Sequence, residues 1–339
     1  MALPELQRPR KLRDGDQVRV IAPSRSRGII GRAGHDATND RLRSLGLEIT
    51  FGARVDEHDA FDSSAVSSRI ADLHDAFADP DVAGILTVIG GFNSNQLLEH
   101  LDWDLIGANP KVFCGYSDIT ALNHALLAHT GMLTYSGPHW SSFGMRDHFA
   151  DTFDWFRRTV FAPGAGGHDG PLALWPAAEW TDDAWFLDQD DRHPQRNDGW
   201  WSLGGDGVVT GRIIGANLAT LSLLPGTPHM PDLEACVLVL EDDFESQPHH
   251  FDRLLHALLQ HLAHVGTQVR GVVIGRFQRD SHMTRELLTR ITDIPALRGL
   301  PIVANADYGH TSPMFTLPIG GEIEVRVDGD DIGLRLLTY

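Results

Sequence analysis

The residues best suited to chemistry lie in Phe113-Cys114-Gly115-Tyr116-Ser117-Asp118-Ile119-Thr120, an apolar run that meets a serine and passes at once into helical spacing at Ile119, Leu122 and Leu126. A strand-turn-helix corner lifts a serine hydroxyl above its sheet. The next backbone N–H, that of Asp118, then faces the same space with a helix N-terminus behind it. Such a corner suits acyl transfer, in which the hydroxyl attacks a carbonyl and the N–H stabilises the oxyanion. Ile119 stands where the G-x-S-x-G signature has its second glycine, and a serine or aspartate that caps the helix fits the local sequence equally well.

A second turn reads Ile89-Gly90-Gly91-Phe92-Asn93-Ser94-Asn95 and follows another apolar run. Paired glycines let backbone approach a reacting carbonyl, so the Gly91 N–H is the candidate second oxyanion donor, worth about 2.7–4 kcal/mol in a transition state. A plain tight turn is the alternative. A dinucleotide loop is disfavoured because G-x-G-x-x-G is missing.

A serine nucleophile needs a base and a group that orients it. Leu238-Val239-Leu240-Glu241-Asp242-Asp243 sets acids directly after an apolar run, and Asn305-Ala306-Asp307-Tyr308-Gly309-His310-Thr311-Ser312-Pro313 sets a histidine in a turn bounded by Gly and Pro. Ser117, Glu241 and His310 thus form a candidate triad, with His310 chosen by position from 18 histidines. The rival for the histidines is a metal: Asp252 and His256 have ligand-pair spacing on the predicted helix His249 to His264. H-E-x-x-H is absent, however, and no metal is expected. The acidic run from Asp182 to Asp191 reads as a solvated loop. Cys114 and Cys236, the two cysteines, read as buried reduced thiols, a reactive Cys114 being the alternative.

Positioning these groups requires a sheet. Gln17 to Pro23, Val82 to Ile89 and Lys111 to Tyr116 are strand-like, and Ala65 to Phe77 has helical spacing, so the first half reads as a parallel sheet covered on both faces. Ligands of such sheets bind beyond the carboxyl ends of the strands. The second half resumes with strands at Val208 to Ile214, Cys236 to Leu240, Val269 to Arg276 and Pro301 to Ala304, and ends in an alternating hairpin, Glu322 to Val327 and Ile332 to Leu337. The expected organisation is a nucleophile domain at 1–162, a connector at 163–206 and a C-terminal domain at 207–339 that supplies the acid and histidine. The connector holds five of the eight Trp, so it reads either as a loop covering a site or as packing between domains.

With 339 residues, two domains are the reasonable prior. A formal charge of −18, from 28 basic and 46 acidic residues, argues against nucleic acid as a partner. Met1 to Asp16 lacks an apolar export signal and no stretch is long and apolar enough to span a bilayer, so a cytoplasmic location without membrane contact is expected.

At these residues the sequence resembles the LD-carboxypeptidase family of serine peptidases, and within it the branch that includes the microcin C immunity peptidases. The resemblance rests on Gly90 to Leu98, Gly115 to Thr120, Gly211 to Leu218, Leu240-Glu241-Asp242 and His310 to Met314, in the family's order and over nearly the whole chain. It implies the triad Ser117, Glu241 and His310, an oxyanion hole from the N–H groups of Gly91 and Asp118, and substrate contacts from Asn93, Trp185 and Asn217. It further implies an α/β architecture with an N-terminal flavodoxin-like domain and a smaller C-terminal mixed domain, a homodimer, and no cofactor. The implied substrates are a murein tetrapeptide, cut before its terminal D-alanine, or an aminoacyl-nucleotide. The alternatives on this scaffold are a non-peptidase amidase and a small-molecule binding protein. Two departures stand out: Ala216 replaces the second glycine of the family's Gly-Gly-Asn-Leu, and Glu245 stands four residues after Glu241, where the immunity branch has a lysine.

Overall fold

The computed structural model describes residues 3–339; Met1 and Ala2, the head of the segment read above for an export signal, lie outside the described residues. The apolar runs of the first half become β1 (Gln17–Ile21), β2 (Glu48–Phe51), β3 (Val82–Thr87), β4 (Val112–Cys114) and β5 (Thr134–Ser136), all parallel, in the spatial order 2-1-3-4-5. This is the flavodoxin-like order, and its crevice lies between β1 and β3, where the connections diverge. Alternate strand residues face opposite ways. Ile85 and Phe113 enter one core with α2 (Val66–Ala78), α3 (Trp103–Ala108) and α4 (Thr120–Thr130), while Leu86, Val112 and Cys114 enter another with α1 (His35–Arg43) and α5 (Ala150–Val160).

In the connector lie β6 (Leu172–Leu174), β7 (Glu179–Trp180), β8 (Gln195–Arg196) and β9 (Trp201–Ser202). After it come β10 (Gly207–Asn217), α6 (Leu218–Leu221), β11 (Ala235–Glu241), α7 (Pro248–Val265), β12 (Gln268–Gly275), α8 (Arg285–Thr292), β13 (Ile302–Ala306), β14 (Leu317–Ile319), β15 (Glu322–Asp328) and β16 (Asp331–Thr338). Eight of these strands form a mixed sheet in the order 6-16-15-10-11-12-13-9, parallel from β10 to β13 and antiparallel outside. Helix α7 buries Phe251, Leu255, Leu258, Leu259 and Leu262 along one stripe, each burial contributing roughly 1.5–3 kcal/mol.

Three short segments cross the expected domain limits. Strands β6 and β9 close the two edges of the second sheet, and β14 leaves the second half to pair with β5 in the first sheet. Strands of two or three residues carry no readable alternation, and tertiary pairing alone makes them strands. Between β3 and α3, Ser94–His100 forms 3-10 turns. One apolar core runs continuously from α2 to β16, so the halves are packed together. No helix among the described residues is long and apolar enough to cross a membrane.

Candidate active site

Ser117 ends the turn after β4 with φ at 59°, a left-handed conformation that costs a non-glycine residue of order 1–3 kcal/mol. One 3-10 turn, Ser117–Ile119, intervenes before α4, and neither it nor α4 has a side-chain cap, so the capping alternative does not describe this serine. Its Oγ stands 3.1 Å from His310 Nε2, and His310 Nδ1 stands 2.7 Å from Glu241 Oε2. The three side chains, 193 positions apart at their extremes, form one hydrogen-bonded chain.

Glu241 is the last residue of β11 and is 2% exposed. Gly309, at φ 102°, makes room for it: a Cβ there would lie 2.6 Å from Glu241 Oε2. Burial by itself pulls the His310 imidazole down, but the charge and hydrogen bond of Glu241 outweigh it, Asp243 and Asp242 add to them, and the ring is raised to about 9. Asp242 is pushed up to about 7 by burial and by its neighbour Glu241.

The Gly90-Gly91 turn packs directly on the serine, since a Cβ on Gly90 would lie 3.0 Å from Ser117 Oγ. A Cβ on Gly91 would lie 2.3 Å from Ser24 Oγ, so this position also excludes a side chain. Asp118 fastens the turn to the corner: its Oδ2 accepts from Asn93 N at 3.0 Å, Ser94 N at 2.8 Å and Ser24 Oγ at 2.6 Å. Asn93 is buried, with its Oδ1 unpartnered, and its carbonyl accepts from the buried Arg69 at 3.0 Å.

Asn217 is buried at the end of β10, in register with Glu241 on β11. Its Oδ1 caps α6 through Thr220 N at 2.9 Å and its Nδ2 donates to Asp242 Oδ1 at 3.0 Å, so both polar ends already have partners within the protein. Trp185 is half-buried beside Gly144 and meets Phe186 edge-on at 6.1 Å. Cys114 is buried with its thiol toward Pro138 O at 3.7 Å, and burial pushes the thiol up, the state of an inert cysteine. On α7, Asp252 and His256 stand 3.5 Å apart on the surface, and the described residues contain no group of three metal-type ligands.

Several residues near the site escaped the sequence reading. Tyr116 lies between His139 and His310, with ring centroids at 4.3 and 5.1 Å. His139 donates or accepts through Nδ1 with Thr87 Oγ1 at 2.7 Å and is held down to about 3 by burial. Arg276 and Asp307 form a buried pair at 2.8 Å, and Asp307 also accepts from Ala177 N, Asn197 Nδ2 and Trp200 Nε1 of the connector. The segment Pro23 to Ser26 follows the carboxyl end of β1 just as the Gly90-Gly91 turn follows β3 and the Ser117 corner follows β4, so the same rule marks it.

Serine, histidine and carboxylate stand in one hydrogen-bonded line where the strand ends of a flavodoxin-like sheet and a mixed sheet meet, and the class of the chain is that of the peptidases. The chain belongs to the LD-carboxypeptidase family: residues 18–137 match the LD-carboxypeptidase N-terminal domain and residues 210–325 the C-terminal domain. It is 42% identical over 317 residues to YocD of Bacillus subtilis (strain 168), a protein named as a carboxypeptidase, covering 93% of this chain and 95% of that one. To the microcin C7 self-immunity protein MccF of Escherichia coli it is 30% identical over 303 residues, 86% of this chain and 85% of the other. The murein tetrapeptide carboxypeptidase of Pseudomonas aeruginosa is 28% identical over 268 residues, 77% and 76% of the two chains. Among solved structures, an MccF-like protein from Bacillus anthracis superposes with a TM-score of 0.93 at 43% identity, covering 98% of this chain and all of the other. MccF in complex with aspartyl sulfamoyl adenosine superposes at 0.85 and 27% identity, covering 98% of each.

Proposed function

We propose that this member of the LD-carboxypeptidase family is a serine-type peptidase that works through an acyl-enzyme. The observation that carries the reading is the hydrogen-bonded chain from Ser117 Oγ through His310 to Glu241. His310 Nε2 takes the serine proton as Oγ attacks the amide carbonyl. Glu241 holds the ring through Nδ1–H and stabilises the imidazolium. The N–H groups of Gly91 and Asp118 stabilise the tetrahedral oxyanion, a role supported by the packing of the Gly90-Gly91 turn on Ser117. His310 then returns the proton to the leaving nitrogen, the amine departs, and water, activated by the same base, releases the acyl group.

Two substrate classes follow from the relatives, a murein tetrapeptide and an aminoacyl-nucleotide. The acidic side chains of Asp243 and Glu245 beside Glu241 favour the peptide, because carboxylates repel a phosphate-like group. Asn93 and Trp185 line the approach to the substrate in this reading, and Asn217 holds Asp242 and α6 in place. A cytoplasmic homodimer belongs to the same proposal, on the strength of the family resemblance.

The test is mass spectrometry of wild type and Ser117→Ala, each incubated with the tetrapeptide and with aspartyl sulfamoyl adenosine. Product from wild type alone, with Ser117→Ala reduced about 10⁶-fold, is expected. Retention of a tenth of the activity by Ser117→Ala would remove the serine mechanism. Alkylation of thiols should leave turnover intact, since Cys114 is buried.

A further inference from the structure

We propose that Arg25 forms, with Phe92 and Phe61, the subsite that binds a substrate carboxylate one residue beyond the amide that is cut. The inference rests on the peptidase reading above and names the group that makes the site prefer a free chain end.

Arg25 follows β1 and the Gly90-Gly91 turn follows β3, so the two flank the crevice of the first sheet. The Arg25 backbone is fixed there: its N–H donates to Gly90 O at 3.3 Å, and Ser24 is tied to Asp118 Oδ2 at 2.6 Å and, through its carbonyl, to Ser63 Oγ at 2.7 Å. Its Cγ lies 3.0 Å from where a Cβ of Gly91 would be. The cation is therefore rooted beside the turn that packs on Ser117. One extended residue spans about 3.5 Å, which places a carboxylate next to the scissile bond within the sweep of an arginine side chain starting from that root.

The charge is available. Arg25 is exposed, and among the described residues no ion pair or side-chain hydrogen bond engages its guanidinium, although acidic residues outnumber basic ones by 46 to 28. By contrast, nearby Arg27 is paired with Asp56 and Arg54 with Asp72. The Arg25 guanidinium lies 5.9 Å from the Phe92 ring, and Phe92 lies 6.3 Å from Phe61; these rings are 49% and 68% exposed. Exposed aromatic surface beside a lone cation lowers the local dielectric once a ligand covers it, which strengthens a guanidinium–carboxylate bond. The other strand ends offer the opposite sign: Asp243 and Glu245 follow β11, and Asp243 contributes to raising His310. A carboxylate is repelled there and attracted at Arg25, so the site sorts the two ends of a zwitterionic peptide.

The experiment is titration calorimetry of Ser117→Ala with the murein tetrapeptide and with its C-terminal carboxamide, repeated in Ser117→Ala/Arg25→Gln and Ser117→Ala/Arg25→Lys. The acid should bind about tenfold to a hundredfold tighter than the amide. Arg25→Gln should erase that difference and Arg25→Lys keep part of it. In otherwise wild-type protein, Arg25→Gln should raise KM by the same factor and leave kcat within a few-fold. Equal binding of acid and amide, or an unchanged preference in Arg25→Gln, overturns the subsite. So does an Arg25→Gln effect confined to aspartyl sulfamoyl adenosine. Failure of the peptidase reading is separate, since it appears as no product from wild type whatever stands at position 25.

Discussion

Asp118 and Ser94 are joined twice, Ser94 N to Asp118 Oδ2 at 2.8 Å and Ser94 Oγ to Asp118 O at 2.6 Å, which locks the turn after β3 to the corner that carries Ser117. Asp118→Ala leaves the N–H groups of Asn93 and Ser94 and the hydroxyl of Ser24 without their acceptor, at about 1–3 kcal/mol for each buried group left unpaired. Stability in urea should fall by roughly 3 kcal/mol. If the turn supplies an oxyanion donor, kcat should fall about 10²–10³-fold as well. A stability loss with kcat intact would show that the turn does no catalytic work.

The pH profile follows from His310. Only the neutral ring can take the serine proton, and the ring is raised to about 9, so kcat/KM should climb with pH and level off above that value. In Glu241→Gln the raising charge is gone and burial pulls the ring down, so the limb should move below the ordinary ~6.5 while kcat drops about 10⁴-fold. The stability sign is opposite: a raised histidine stabilises the fold below ~6.5, and that contribution is lost as pH rises through the folded value, a dependence Glu241→Gln should flatten. A limb that stays near 9 in Glu241→Gln would contradict the assignment of the orienting carboxylate.

The Arg276–Asp307 pair anchors the connector. Removing one partner strands a buried charge, at about 3–5 kcal/mol, and Asp307→Ala also releases Ala177, Asn197 and Trp200. Thermal denaturation should show Asp307→Ala and Arg276→Met each strongly destabilised. The pair replacement Asp307→Leu/Arg276→Met should be less affected than either single change. Limited proteolysis of the single variants should cut first between 175 and 200; protection there equal to wild type would refute the anchoring role.

His124 couples the halves, with Nδ1 at 2.8 Å from Thr120 O and Nε2 accepting from Gly215 N at 3.1 Å. Burial lowers it to about 4, so the folded protein keeps it neutral. The unfolded chain takes up a proton below ~6.5 that the fold refuses, so the associated stability is full above that pH and is lost as pH falls toward 4. His124→Gln should reduce this acid-side slope in urea titrations and cost roughly 1–3 kcal/mol at neutral pH. An unchanged slope would assign the acid sensitivity elsewhere.

The strands that support the site were legible because buried parallel strands are continuous apolar runs: β3, β4, β10, β11 and β12 fall within a few residues of their expected limits. Ser117, Gly91, Glu241 and His310 were legible as residues at strand ends. The Asp118 clamp, the Tyr116 and His139 pair, and the bond from Asn217 to Asp242 were not, because each depends on a contact between segments far apart in sequence.

The sequence by itself determined the alternation that builds the first sheet, the turns that end its strands, and the residue types able to perform acyl transfer. It could not say that His310 lies 3.1 Å from Ser117 and 2.7 Å from Glu241, nor that the serine hydroxyl caps no helix. Those facts were decided by β14 crossing to β5 and by His124 and Thr120 bonding to β10, contacts that fix one sheet's strand ends against the other's. Local preference acts over a few residues, whereas a distance between positions 117 and 310 is set by the packing of everything between them.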